Sequence, residues 1–368
     1  VGTPCPFSSS APDCHRLWNP NVLNPMLVSG HRFCVAPMMG WTDRHERYLL
    51  RLLSRHARLY TEMVSTGALL HGDQARFLAH DVGEYPLALQ LGGSEPDAMA
   101  QCAQLGEAAG FEEININAGC PSDRVQAGRF GACLMHEPHR VAQCVAAMRA
   151  LVSIPVTVKC RIGVDHDDQF EYLTNFVGVI ADAGCQVFIV HARKAWLSGL
   201  SPRQNREIPP LQYARVHALK RTFPELTVVM NGGIRDLAQA HAQLDYVDGV
   251  MMGREAYQNP WTLAAVDREL FGRTGGAQSR WQILEDYKPY MARQLAQGVP
   301  LKGLSRHLLG LFHGQPGARA WRRTLSEQAF RADAGMEAIE AAQAKVRQVI
   351  AQQTDPLTDS HALANFAA

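Results

Sequence analysis

The feature that most restricts this chain is an alternation. From about residue 31, short β-branched or apolar runs at 33–38, 59–64, 87–91, 114–117, 156–161, 187–191, 227–231 and 249–252 are separated by longer stretches with helical spacing, such as 95–109 and 140–151. Eight strand-then-helix units point to a closed (β/α)8 TIM barrel over residues 31–265. An open doubly wound sheet normally carries a G-x-G-x-x-G turn after its first strand, and this chain has none there.

A barrel gathers its chemistry where strands end and the following loops begin. Reading only those places gives Pro37, Met38 and Met39, then Glu62, Gln90, Asn117 with Cys120, Lys159, His191, Asn231 with Gly232 and Gly233, and Gly253 with Arg254. Each alone has a plain structural explanation; Lys159 or His191, for instance, can satisfy a buried carboxylate or carbonyl. Together they are harder to attribute to stability, because barrel interiors favour branched apolar side chains. The glycines of VVMNGGI and VMMGR let backbone N–H groups approach a phosphate, and Arg254 adds a positive fork. Lys159 and His191 extend that positive site, and Gln90 can both donate to and accept from the edge of a pyrimidine-like ring. These features point to flavin mononucleotide (FMN).

Cys120 sits in ININ-AG-CPS, between a strand end with Asn117 and a proline that biases it toward an extended backbone. An isolated thiol titrates near 8.5, so at neutral pH it is mostly protonated. No His or Lys is adjacent in sequence to activate it as a nucleophile, whereas a proton donor needs no such activation. The alternative, a small buried hydrophobe, suits Cys102 and Cys144 on helical faces better.

Composition narrows the class. The chain has 368 residues, of which 46% are hydrophobic and 19% charged, enough for a large core and about two domains. Nine cysteines without a C-x-x-C pair argue against a disulfide framework or a zinc ribbon, leave no metal site in view and suit a reducing cytoplasm. No apolar run is long enough to span a membrane. Residues 1–30 read as a flexible leader. After Pro260 the strand signals stop; helical spacing at 281–297 and 335–352 predicts a helical bundle over 276–352, with 353–368 as a polar tail. The net charge is only +1, yet seven Lys or Arg face one acid over 193–221, and again over 293–331. Two such stretches suit a phosphate-tracking surface as well as a merely solvated face.

The segments APMMGWTDR (36–44), YTEMVSTGAL (60–69), LQLGG (89–93), NAGCPSDRVQAGRFGACLM (117–135), VKCRIG (158–163) and HARKAWLSGLSPRQNREIPPL (191–211) closely resemble the tRNA-dihydrouridine synthases, most of all their bacterial A type. The likeness runs from about residue 31 to about residue 350. It implies an FMN enzyme, reduced by NADPH, that reduces the C5–C6 double bond of D-loop uridines 20 and 20a in tRNA. By that resemblance Cys120 protonates C5 and Asn117 meets the tRNA near the target base. Pro37, Met38, Met39, Gln90, Lys159, His191, Asn231, Gly232, Gly233, Gly253 and Arg254 hold the FMN. Arg203, Arg206, Arg319 and Arg322 become candidate tRNA contacts, the helical bundle becomes the tRNA-gripping domain, and the family leans toward a monomer. Two positions depart from the A-type pattern: Met39-Gly40 in place of Leu-Asp, and Ala118 in place of a larger aliphatic residue.

Three rival readings stay open on the residues. An FMN barrel acting on a free pyrimidine gives the basic C-terminal bundle no role. A Schiff-base aldolase using Lys159 carries no flavin and is colourless. An RNA-binding protein with an idle barrel is indifferent to Cys120→Ala.

Overall fold

A computed structural model of the protein describes residues 30–275, 279–331 and 333–354. The expected leader (1–30, apart from Gly30) and nearly all of the expected tail (353–368) lie outside them. Among the described residues nine strands form a single parallel sheet: β1 (Phe33–Val35), β2 (Leu59–Tyr60), β3 (Val64–Ser65), β4 (Leu87–Gly92), β5 (Glu113–Ala118), β6 (Val156–Arg161), β7 (Val187–His191), β8 (Thr227–Asn231) and β9 (Gly249–Met252). Their order is β1-β9-β8-β7-β6-β5-β4-β2, with β3 also on β4. Residue 58 closes the ring, since Val35 N–H donates to Arg58 O at 2.9 Å and Arg58 N–H to Phe33 O at 3.0 Å. The expected TIM barrel is therefore present.

Two strands differ from the sequence expectation by more than one residue at an end. The first stops at Val35 and not at residue 38, because Pro37 has no N–H to donate and Met38 O instead accepts from Trp41 and Thr42 in a turn. The second is broken between Tyr60 and Val64. There the Thr61 hydroxyl accepts the Gln90 N–H at 3.0 Å, which diverts a ladder donor to a side chain.

Alternation sorts the strand residues between two cores. One face, with Phe33, Leu89, Ile114, Ile116, Val158, Phe188 and Val228, packs against the surrounding helices. Cys34, Ala36, Tyr60, Ala88, Val187, Ile189, Val229 and Met251 form a small separate apolar cluster. The positions in step with that cluster on β5 and β6 are polar: Glu113, Asn115, Asn117, Thr157, Lys159 and Arg161. The barrel lumen is thus apolar on one side and polar on the other.

The C-terminal helices Arg280–Ala296, Leu301–Ser305, Ala318–Gln328 and Glu337–Thr354 follow the barrel, the first and last within two residues of the predicted spans. Their apolar residues, including Trp321, Leu284 and Val346, join the same core as the outer face of the barrel. They dock on the barrel helix Arg44–Leu53. Tyr48 stacks on Tyr290 with ring centroids 3.9 Å apart, and Tyr287 Oη donates to His45 O at 3.1 Å. Beside this stack lies a buried ionic cluster. His307 Nε2 is 3.1 Å from Asp43 Oδ1, its Nδ1 is 3.0 Å from Glu46 Oε2, and Arg306 also reaches Asp43. Asp43 is at the same time the N-cap of helix Arg44–Leu53.

Burial alone would depress the basicity of His307, but its two carboxylate partners raise it to about 9. Burial lifts Glu46 to about 7 despite the neighbouring imidazolium. A raised folded pKa on either group means that the native state holds more protons than the unfolded chain. The stability Glu46 and His307 provide is therefore complete only below their unfolded values, 4.5 and 6.5, and is lost as pH climbs through about 7 and about 9, while the lowered pKa of Asp43 makes its own contribution fade toward strong acid. In urea unfolding compared across pH, His307→Gln should change the pH dependence of stability, because Glu46 then titrates without the imidazolium that holds its pKa down. Parallel pH curves for the two proteins would contradict this account.

Candidate active site at the barrel mouth

The polar side of the lumen is one chain of hydrogen bonds. At its base Glu113 is fully buried and accepts from Tyr60 Oη at 2.9 Å and Thr157 Oγ1 at 2.6 Å, with His31 Nε2 at 2.7 Å and Arg58 Nη1 at 3.3 Å. Burial would raise its pKa, but His31 and Arg58 bring it down to about 2. From Thr157 the chain rises through Asn115 Nδ2 (2.8 Å), from Asn115 Oδ1 to Gln90 Nε2 (2.8 Å), and from Gln90 Oε1 to Asn117 Nδ2 (2.9 Å). Asn117 Oδ1 then accepts from the N–H groups of Gly119 and Cys120, both at 3.0 Å. This turn sets the Cys120 backbone, and the thiol lies half-buried with Ser122 Oγ 3.7 Å away.

Strand register brings several expected residues to one rim. Asn117 pairs with Lys159, and Arg161, His191 and Asn231 are successive partners across β6, β7 and β8. Lys159 Nζ donates to Asn231 Oδ1 at 2.9 Å, and Asn231 Nδ2 to Met251 O at 2.8 Å. Burial, with Arg161 nearby, lowers the Lys159 ammonium to about 8. Burial and then Arg161 and Lys159 push His191 well below its ordinary value, so its imidazole is neutral at pH 7.

The remaining expected residues surround this row. Gly232 and Gly233 both have positive φ (109° and 75°). A Cβ on Gly232 would lie 3.3 Å from the His191 ring, and one on Gly233 2.5 Å from Leu211, so the turn admits no side chain at Gly233 without displacement. Gly253 is open by contrast, with nothing nearer than Ala36 at 3.9 Å. Arg254 is held by Glu207 at 2.6 Å. Pro37, Met38 and Met39 form the loop after β1; Met39 is 64% exposed, and Gly40 N–H donates to Glu62 at 2.5 Å.

Arg203 and Arg206 stand exposed on the long loop after β7, with Arg203 3.5 Å from Glu207. Arg319 and Arg322 are exposed on helix Ala318–Gln328, which packs chiefly against helix Glu337–Thr354 and the turn Arg306–Gly310. The structure thus gathers the strand-end residues into one site and leaves these two arginines on the C-terminal helices.

Several residues of the site were not singled out in the sequence. Arg161, Gln126 and Asn205 tie its loops together, and Glu113, Asn115 and Thr157 support it from below. Arg161 had a legible signal: Thr157, Lys159 and Arg161 alternate on one strand face, placing two cations on an inner wall. Glu113 also alternates with Asn115 and Asn117, but its partners come from sequence positions as far apart as His31 and Thr157.

The site fits an anionic ligand that also accepts hydrogen bonds. His191 Nδ1 is buried with no hydrogen-bond partner among the described residues. The cations Arg161, Lys159, Arg193 and Arg206 all act on His191, Arg254 acts on Arg193 and Arg206, and Glu207 pairs with Arg254. Substituting Asn117→Ala removes the acceptor that shapes the Cys120 turn. Alkylation of Cys120 by iodoacetamide, followed by peptide mass, should then accelerate several-fold; an unchanged rate would show that the turn holds itself.

Comparisons with known proteins place the chain in a family. Residues 34–349 match the family described as "Dihydrouridine synthase (Dus)". A Vibrio cholerae protein named tRNA-dihydrouridine(20/20a) synthase is 56% identical over 316 residues, covering 86% of this chain and 96% of that protein. The protein of the same name from Escherichia coli K12 is 59% identical over 312 residues, covering 84% and 90%. A solved structure of 2-naphthoyl-CoA reductase with 2-naphthoyl-CoA superposes with a TM-score of 0.51 at 11% identity, covering 69% of this chain and 52% of that one, a likeness of fold alone. With the family matched over nearly the whole barrel and the C-terminal helices, this chain belongs to the dihydrouridine synthases.

Proposed function

We propose that the chain reduces the C5–C6 double bond of uridines 20 and 20a in tRNA, as the names of its relatives describe for them, using FMN as the bound cofactor and NADPH as the reductant. The observation that carries this reading is the position of Cys120, a half-buried thiol held by Asn117 at the rim that also bears Lys159, His191 and Asn231. When bound in the mouth, FMN would supply the hydride for C6. Lys159, His191, Asn231, Gly232, Gly233, Gly253 and Arg254 would hold its phosphate and polar groups, Gln90 would support its ring from the ladder below, and Pro37, Met38 and Met39 would complete its binding residues.

The chain's own chemistry is proton supply and positioning. The Cys120 S–H bond breaks as a C5–H bond forms, and the thiolate left behind recovers its proton from solvent. With one hydride and one proton added, the uracil ring is reduced by two electrons. Asn117 contributes doubly: its oxygen shapes the Cys120 turn, and its amide has a second N–H that a uracil carbonyl could accept. The target base must leave the folded RNA to enter this site. Arg203 and Arg206 at the mouth, with Arg319 and Arg322 on the C-terminal helices of a tRNA-gripping domain at 276–352, hold the phosphates while it does so.

Two measurements test the reading. Photoreduced protein mixed with tRNA lacking dihydrouridine should form dihydrouridine in a single turnover, and Cys120→Ala should slow this by about 10² to 10⁴. No dihydrouridine from a yellow, tRNA-binding wild type would overturn the substrate assignment. Arg319→Ala and Arg322→Ala should each weaken tRNA binding and reduce the slope of log affinity against log salt by about 1. An unchanged slope would remove that residue from the RNA interface.

A further inference from the structure

Arg161 is only 4% exposed, yet no salt bridge to a carboxylate is formed by its guanidinium among the described residues. Its three hydrogen bonds go to backbone carbonyls. Nε donates to Gly119 O at 2.9 Å, and Nη1 donates to Lys194 O and to Asn205 O, both at 3.0 Å. Burying a guanidinium on carbonyls alone is costly, and any aliphatic side chain would fill the space more cheaply. What the planar fork does that an aliphatic chain does not is fix separate carbonyls at set angles.

Those carbonyls belong to two loops. Gly119 precedes Cys120, and it packs so closely on β6 that a Cβ there would lie 3.3 Å from the Cys160 carbonyl carbon. Lys194 and Asn205 belong to the basic loop after β7. Asn205 is fully buried and closes that loop on itself, with Oδ1 accepting from Trp196 N–H at 2.7 Å and Nδ2 donating to Trp196 O and Leu200 O. A second staple joins the same two loops: Gln126 Nε2 donates to Pro121 O at 2.9 Å and to Leu197 O at 2.7 Å. Pro121 and Gly119 flank Cys120 on either side. The thiol is thus clamped to the basic loop from both directions.

We propose that Arg161, assisted by Gln126, is a positioning residue for Cys120, fixing the peptide that carries the thiol and locking it to the loop that presents Arg203 and Arg206. The inference rests on the dihydrouridine reading for its catalytic meaning and not for its geometry. An RNA seated on Arg203 and Arg206 is then registered against the proton donor through hydrogen bonds of the protein itself.

The test uses the FMN-loaded protein with Arg161→Lys, which keeps the charge and loses the fork, and Gln126→Ala, which removes the second staple. Cys133, half-buried in the following segment, serves as the internal control. Under iodoacetamide the ratio of Cys120 to Cys133 labelling should rise several-fold in each variant. In steady state with tRNA, kcat should fall by up to about 10²-fold in Arg161→Lys while KM changes less than about threefold, the pattern of a misplaced group and not of lost binding. The two substitutions together should cost less than the product of their separate effects, since both act on one clamp. An unchanged labelling ratio, or Cys120 and Cys133 accelerating together, would overturn the proposal. If the wild type forms no dihydrouridine, the functional reading fails while the labelling ratio still decides the clamp.

Discussion

The site depends on one buried carboxylate. Glu113 places a negative charge inside the barrel wall, a position that is tolerable only because Tyr60, Thr157, His31 and Arg58 surround it. Those partners fix the lower end of a side-chain ladder that continues through Asn115 and Gln90 to Asn117 and ends on the Cys120 amide. In such a chain each amide has its donor and acceptor directions set by the neighbour below. The orientation of Asn117 at the mouth is therefore inherited from the floor of the barrel.

Above that ladder the mouth is electrically lopsided. Lys159, Arg161, Arg193, Arg206 and Arg254 crowd one rim, and Glu207, on Arg254 and Arg203, is the acid that meets them there. Accumulating like charge costs free energy in the ligand-free protein and returns it when an anion arrives. The lowered basicity of Lys159 and His191 reflects burial first and the neighbouring cations second. The C-terminal helices are not loosely appended to this arrangement. His307 grips Asp43 and Glu46 directly after the loop that carries Pro37, Met38 and Met39, and Trp41 of that loop stacks on Tyr257 at 4.4 Å. The C-terminal helices are therefore mechanically continuous with the mouth.

Much of this was legible in the residue order. Parallel strands joined by helices produce a strict strand-then-helix rhythm, and barrel geometry then assigns chemistry to strand ends, so Lys159, His191, Asn231 and the glycine pair could be singled out before any coordinate. The two misjudged strand ends were lost to local hydrogen bonding: Pro37 withholds a donor and Thr61 takes one with its side chain, neither of which changes the apolar pattern being read. The basic stretches were also visible as composition, but not that Arg161 is buried on carbonyls while Arg203 stays in solvent.

By itself the sequence determined the barrel and the family and singled out Cys120 as a candidate, because periodicity and motif spacing are properties of neighbours along the chain. Only the tertiary structure decided what holds that cysteine in place. The Glu113 ladder, the Arg161 clamp and the His307 cluster each join residues tens to hundreds of positions apart, where no periodicity links one partner to the next. Whether a buried polar group is a liability or a support depends on partners that only folding brings within hydrogen-bond reach.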